Sequence, residues 1–293
     1  MIYITNTDFI NGTLQNNANN NNPIVFYKSV LWPEDISAPT YAADRPALNM
    51  WNPDTSSVWQ GSETAGSPSA TSSHDIVLAN VGATINYIAI AVHNLQGFTV
   101  TMQYSTNGGS TYSNISSPRT ILGGEPIVEF FNNNNAGLFR IRIQRTESGS
   151  PAVIRAPMIA HLKMGQAFVL QRRIWSGYEP TAIKAKTINN GSDSGQYLGQ
   201  IIVRRYREPS QISQKNNTVD FVRDNVTPFL EHCIGIPYHS ATCATTFIFA
   251  WRPTKHPADL IYAFPTDIEY PKNETGSSNG GLMSWGVTVG ATV

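Results

Sequence analysis

The chain reads as all-β, a mainly β protein of two domains with one short helix, and three observations lead there. Residues 98–104 alternate, so that Phe98, Val100, Met102 and Tyr104 share one face of a strand and Thr99, Thr101 and Gln103 the other. Turn formers are abundant: 22 glycines and 18 prolines accompany 41% hydrophobic and 10% aromatic residues, enough apolar material for real cores. The length, 293 residues, exceeds what one ordinary core organises, and two domains of about 130 to 150 residues are typical at that size.

Ile2-Tyr3-Ile4 opens the chain as a strand, followed by Asn11-Gly12 and by a run from Asn16 to Asn22 in which six of seven residues are asparagine. Such a tract cannot bury enough apolar surface to offset its ordering entropy, so an exposed loop or arm is expected. Ile24 to Tyr27 make a compact strand that Trp32-Pro33 breaks. Residues 41–60, YAADRPALNMWNPDTSSVWQ, set Asp44, Asn49, Asp54 and Thr55 among two prolines and two tryptophans, a polar, turn-rich edge that cannot propagate a helix. Strands follow at Asp75 to Leu78, within INYIAIAVHNL, at Ile127 to Phe131 and at Phe139 to Ile143, where Arg140 and Arg142 alternate with apolar residues and should face solvent or a neighbouring subunit. Asn107-Gly108-Gly109-Ser110 reverses the chain, and Asn132 to Asn135 before Ala136-Gly137 mark a second turn.

The division expected is 1–35 for amino-terminal strands and the asparagine loop, 36–164 for a first β-sandwich, and 165–293 for a second β domain. In the latter, FVLQRRIW is the opening strand, and a polar loop from Asn189 to Gln196 feeds a strand at Ile201 to Tyr206, giving a long hairpin. Residues 219–233 form the one good helix candidate, capped by Thr218 or Asp220, with Phe221, Val222, Val226, Phe229 and Leu230 near helical spacing and Pro228 shortening or bending it. TTFIFAWRP, LIYAFP and SWGVTVGATV supply further strands. No repeat of fixed period is visible, which excludes solenoids and propellers.

Only 14% of residues are charged and 20 basic balance 20 acidic ones, so no global field gathers nucleic acid or anionic membrane. Low net charge suits a subunit packed against others. MIYITNTDFINGT lacks a basic start and a continuous apolar stretch, and no run approaches the roughly 20 apolar residues of a bilayer span; synthesis in a cytoplasm is expected.

Chemistry is sparse. Cys233 and Cys243 flank His239 and follow His232, but the spacing lacks a paired C-x2-C knuckle and Pro237 intervenes. Buried or reduced thiols at a strand edge and a cross-strand disulfide both stay open. Asp44, Asp54, Glu63, Asp75, Glu125 and Glu129 are the carboxylates from which a glycosidase pair would be drawn, and turns and surface loops account for them. No nucleophile elbow, zinc-protease, phosphate-loop or dinucleotide motif is present, so no catalytic residue, metal or cofactor is assigned. Arg172 and Arg173 on one strand and Arg204, Arg205 and Arg207 on another read as a subunit interface, since guanidiniums pair bidentately with carboxylates.

The Asn49/Asp54/Trp59 stretch, the His93-Asn94-Leu95 strand end, and Gln103-Tyr104-Ser105 followed by Gly108-Gly109-Ser110 resemble the discoidin-like, galactose-binding jelly-roll domains of bacteriophage minor tail proteins. Gln171-Arg172-Arg173, Tyr197-Leu198-Gly199 and Phe249-Ala250-Trp251-Arg252-Pro253 resemble the carboxy-terminal part of distal tail and tail-tip proteins. The resemblance implies a virion protein of a long-tailed phage, with a distal-tail-like β-sandwich or barrel as second domain, assembled in the host cytoplasm as a ring or trimer that joins tail tube, hub and tip. It also implies an alternative, a host-recognition module whose sandwich loops bind a surface glycan. Trp51, Tyr41, Asn49, Asn52 and Asp54 have the aromatic faces and polar tips for that, while Trp59 sits where the family buries a core tryptophan.

Overall fold

The computed structural model describes residues 1–14, 21–38, 44–52, 54–62, 64–66, 69–148, 152–174, 178, 183–191, 194, 196–207, 210–235, 245–274 and 281–291. In chain order the elements are β1 (Ile2–Ile4), α1 (Thr7–Ile10), β2 (Ile24–Ser29), β3 (Ile36–Ser37), β4 (Trp59–Gln60), β5 (Thr64–Gly66), β6 (Ser69–Ala79), β7 (Ile85–His93), β8 (Thr99–Ser105), β9 (Ser113–Asn114) and β10 (Arg119–Thr120). There follow β11 (Ile127–Asn134), β12 (Leu138–Ser148), β13 (Ala152–Ile154), β14 (Met158–Val169), β15 (Ile183–Gly191), β16 (Tyr197–Arg207) and β17 (Ser210–Thr218). The chain ends with α2 (Val219–Phe221), α3 (Thr227–Cys233), β18 (Phe247–Ala250), β19 (Leu260–Asn273) and β20 (Leu282–Ala291). Two 3-10 turns, Pro33–Asp35 and Ala47–Met50, interrupt the early part.

Two sheets make a sandwich. The larger has ten strands in the order β1-β11-β7-β14-β2-β18-β19-β20-β17 with β4 beside β14, and the smaller has six, β10-β8-β12-β6-β3 with β9 beside β8. Period-2 alternation decides which side chains meet between them. Phe139, Ile141 and Ile143 of β12 are fully buried against Ile88 and Ile90 of β7, in a core that also holds Phe98, Val100, Met102 and Trp59. Arg140 and Arg142 take the outer face, as the alternation predicts, and clasp Asp75 across the β12–β6 pair.

The larger sheet runs on through β2 and β18 into the carboxy-terminal strands, and residues 164 and 165 lie inside β14. A second core forms there around Phe229, whose ring lies 4.9 Å from Phe247 and 6.2 Å from Trp285. A third cluster joins β1, β2, β7, β11 and β18 to α1 through Phe9, Phe26, Tyr87 and Phe130. β1 enters this sheet parallel to β11, and β2 lies between β14 and β18.

The helix from 219 to 233 forms with Thr218 as its cap, its side chain accepting from the Phe221 amide. Residues Val222–Val226 are π-helical, and α3 continues from Thr227. The wider turn accommodates Pro228, which has no N–H to give and crowds the preceding carbonyls.

Several expectations change. FVLQRRIW is not one strand: β14 ends at Val169, and the Asn22 side chain donates to the Leu170 and Gln171 carbonyls just beyond it. β16 pairs with β15, a strand the sequence reading missed, so Asn189 to Gly191 belong to β15 and not to a loop, and Ile201–Tyr206 lies within β16. Asn132 to Asn134 continue β11 instead of turning, because Asn132 exchanges hydrogen bonds with Thr7 at the start of α1. The asparagine run ends in fixed structure, not in a solvated loop: Asn21 accepts from Thr254 and Lys255, and Asn22 is buried. Residues 15–20 lie outside the described residues. Cys233 is buried in α3 rather than at a strand edge, while Cys243 and His239 lie outside the described residues.

Candidate functional site

The turn-rich segment 44–60 packs along the edge of β14 that β2 has left. Val30 still bonds to the Met164 carbonyl, after which the chain turns through Pro33–Asp35 to reach β3 in the opposite sheet. Ala47 and Met50 anchor the segment in the core, and β4 closes it by pairing Trp59 with Ile159.

Its polar residues are largely engaged with one another. Asn49 donates to the Val58 carbonyl at 2.9 Å. Asn52 accepts from the Asp54 amide at 3.1 Å, and its carbonyl receives His161 Nδ1–H at 3.3 Å. Asp54 accepts from the Ser56 amide, the Ser56 hydroxyl and the Ser57 hydroxyl. The Ser56 backbone bond, followed by its hydroxyl, holds the exposed Asp54 carboxyl below the usual carboxylate range. These are the local side-chain-to-backbone turns that Asn and Asp favour.

Trp51 is half-buried, and its indole N–H donates to the Leu31 carbonyl at 3.0 Å, so it fastens the segment to the chain leaving β2. Trp59 is fully buried, edge-on to His74 with ring centroids 6.1 Å apart. The exposed aromatic here is Trp32, 39% accessible, which the sequence reading used only as a strand breaker; Leu48 is also exposed at 51%. The Trp32 amide donates to Asp35, and the Asp35 amide returns a bond to the Trp32 carbonyl, so the ring rises from a fixed turn. Asp three residues after the tryptophan of a Trp-Pro pair was the available signal. Tyr41 lies outside the described residues.

The other candidates scatter. Asp75 is clamped by Arg142 through two 2.8 Å bonds and by Arg140 at 3.3 Å, and its carboxyl is held low, first by the Arg142 hydrogen bond. Glu129 is 2% exposed, and burial pushes its carboxyl up to about 7 against the opposing Ser116 bond and Arg119 charge. Asp44 and Glu125 are exposed, and Glu63 lies outside the described residues. Arg172 and Arg173 follow the end of β14, exposed, with Arg172 donating to the Asn216 carbonyl. Arg204, Arg205 and Arg207 stand on β16 opposite Lys186, Ala185 and Ile183, in a separate two-stranded sheet. Among the described residues no group of three His, Cys, Asp or Glu could hold a metal ion.

No family model matches the chain, and no curated protein matches it. Solved structures similar to part of it include chitosan-binding module 1 of a chitosanase/glucanase from Paenibacillus sp. IK-5, at 12% identity and a TM-score of 0.37 over 47% of this chain and 98% of that one. A Clostridium perfringens module solved with GalNAc-β-1,3-galactose matches at 14% identity and a TM-score of 0.35, over 47% of this chain and 99% of that one. A Ruminococcus gnavus fucosidase solved with fucose matches at 16% identity and a TM-score of 0.36, over 47% of this chain but only 26% of the fucosidase.

Proposed function

We propose that the chain is a non-catalytic recognition protein whose sandwich binds a glycan at the face formed by Trp32, Trp51 and the 44–60 segment. The observation that carries this reading is the exposed Trp32 indole on a turn fixed by Asp35, next to a half-buried Trp51 and a polar segment already tied in place. An aromatic ring offered to solvent from a rigid turn suits the apolar face of a sugar. The sandwich, with the Pro33–Asp35 turn that carries Trp32, would be the binding unit, and the carboxy-terminal core its anchor.

Trp32→Ala should weaken binding to a cognate polysaccharide about tenfold, the equivalent of roughly 1.4 kcal/mol, while leaving Tm nearly unchanged. Trp51→Ala is the poorer test, because it also removes the bond to Leu31. A glycan screen with intact protein that finds no ligand, or a Trp32→Ala variant that binds as well as wild type, defeats this reading.

A second reading is a structural component of a long-tailed phage virion, at the distal tail or baseplate. It is favoured by the β15–β16 hairpin, whose two strands pair with each other in a sheet of their own. Two-stranded sheets are marginal alone in water, and this one places Lys184, Lys186, Arg204, Arg205 and Arg207 on its strands. Docking on a second copy, or on tube and hub proteins, would stabilise it. Light scattering over a dilution series checks this: a ring or trimer supports it, and a monomer at every concentration counts against self-assembly.

A further inference from the structure

Lys163 on β14 is 1% exposed and lies between the sandwich and the carboxy-terminal core. Its Nζ donates to the Thr246 carbonyl at 2.6 Å and reaches the Tyr27 carbonyl at 3.5 Å. Thr246 directly precedes β18, and Tyr27 lies on β2, β18's neighbour in the sheet. The same Thr246 carbonyl receives His232 Nε2–H from α3 at 3.3 Å. One backbone oxygen therefore gathers β14, α3 and the entry to β18.

No carboxylate pairs with Lys163 among the described residues. The titratable groups around it are His161 on β14 itself, His232 and Cys233 from α3, Tyr27 from β2, Tyr87 from β7 and Tyr262 from β19, with the half-exposed Glu231 of α3 acting on Tyr27. All but Glu231 are neutral in their ordinary forms here. A neutral amine has two N–H groups, matching the two carbonyls, whereas an ammonium brings a third donor and an uncompensated buried charge. His161 uses Nδ1–H on the Asn52 carbonyl, which leaves its Nε2 a bare, buried acceptor without a partner. A proton taken up there would place a second cation two residues along the same strand.

We propose that this cluster is a proton-operated joint: the neutral Lys163 amine ties α3 and the chain entering β18 to β14, and proton uptake by Lys163, then by His161 and His232, loosens that attachment.

Burial pushes Lys163 down to about 7, His161 to about 3 and His232 to about 4. In an opened, hydrated joint the lysine would hold its proton up to about 10.4 and the histidines up to about 6.5. Between about 10 and 7 the open state thus binds one more proton than the closed one, and opening grows about tenfold per pH unit as pH falls. Lysine's contribution levels off below about 7, and the histidines act from about 6.5 downward.

The test is hydrogen exchange of the intact protein, followed by mass spectrometry from pH 9.5 to 5, on wild type and Lys163→Met. Methionine fills similar volume without charge. Comparing the two at each pH cancels intrinsic exchange chemistry. For peptides covering 227–233 and 247–250, wild-type opening relative to the variant should rise about tenfold per pH unit between 9.5 and 7.5, while peptides in β6 and β12 stay together. A pH-independent ratio overturns the proposal. So does equal divergence of all peptides, which would mean a global stability effect and no joint. If Lys163→Met does not fold, 13C spectra of wild type labelled at lysine Cε decide: one of the seven lysines titrating near 7 supports the joint, and all seven titrating near 10 overturn it.

Discussion

Gly165 shows how one residue sets the spacing of two strands. It pairs with Ser29 where β2 and β14 run side by side, one step before a register shift between Gln166 and Ala167. A Cβ at this position would fall on the Lys28 carbonyl oxygen, which is backbone and cannot rotate away. Gly165→Ala must therefore part β2 from β14, beside the Tyr27 and Lys163 contacts. Overpacking of this kind costs about 1–3 kcal/mol, and a drop in Tm of roughly 3–10 °C is expected in thermal unfolding. An unchanged Tm would mean that the strands do not approach this closely. The tryptophans make the complementary point: Trp32 and Trp51 are alike in sequence, yet one lies exposed and the other tethered, while Trp59 is fully buried. Only the crossing of the chain between sheets separates the first two, and that crossing leaves no local pattern.

At the scale of elements, the helix 219–233 was legible because its signals are local: a Thr cap, apolar residues at helical spacing and a proline with a predictable cost. The Thr218 hydroxyl bonds the Phe221 amide and also takes a bond from the Gln171 side chain. Thr218→Ala should thus destabilise by about 1–2 kcal/mol, at the upper part of the range for a lost cap, and Thr218→Ser should restore most of it. Equal stability of the Ala and Ser variants in urea unfolding would show that the cap is idle. The alternating strands β8 and β12 were legible for the same reason, and their inward residues are those the period selects. What was hidden depends on distant partners. β15 lacks a clear apolar run, β14 stops where Asn22 takes its next carbonyls, and the asparagines of β11 remain extended because α1 bonds them. The turn-rich character of the 44–60 segment was legible, but the polar side chains of Asn49, Asn52 and Asp54 are occupied in holding the turns, which composition cannot reveal.

Across the whole molecule, the long sheet joins amino-terminal, central and carboxy-terminal segments, so titratable groups buried on and beside it bear on the stability of all three. Burial is the first cause in each case: His93 on β7 and His232 on α3 are pushed down to about 4, His161 on β14 to about 3, and His74, on β6 of the smaller sheet, below its ordinary range. These imidazoles are neutral when folded and take up protons on unfolding below about 6.5. Their contribution is present above that pH and is lost as pH falls toward the folded values, at up to about 1.4 kcal/mol per pH unit for each. Glu129 works in the opposite sense. Its carboxyl, raised to about 7 by burial, is protonated in the fold and ionised in the unfolded chain above about 4.5. Its stabilising contribution is complete below 4.5 and fades as pH rises through 7. Between pH 6.5 and 4.5 several histidines oppose one glutamate, so the fold should lose stability on acidification, and Tm should fall steadily across that window. Glu129→Gln, which stays neutral at every pH, sharpens the test. It should steepen the acid loss of Tm below 6.5, because the one opposing group is gone, and raise Tm relative to wild type at pH 8. A Tm flat between 6.5 and 4.5 in both proteins would mean that these histidines are hydrated in solution and not enclosed.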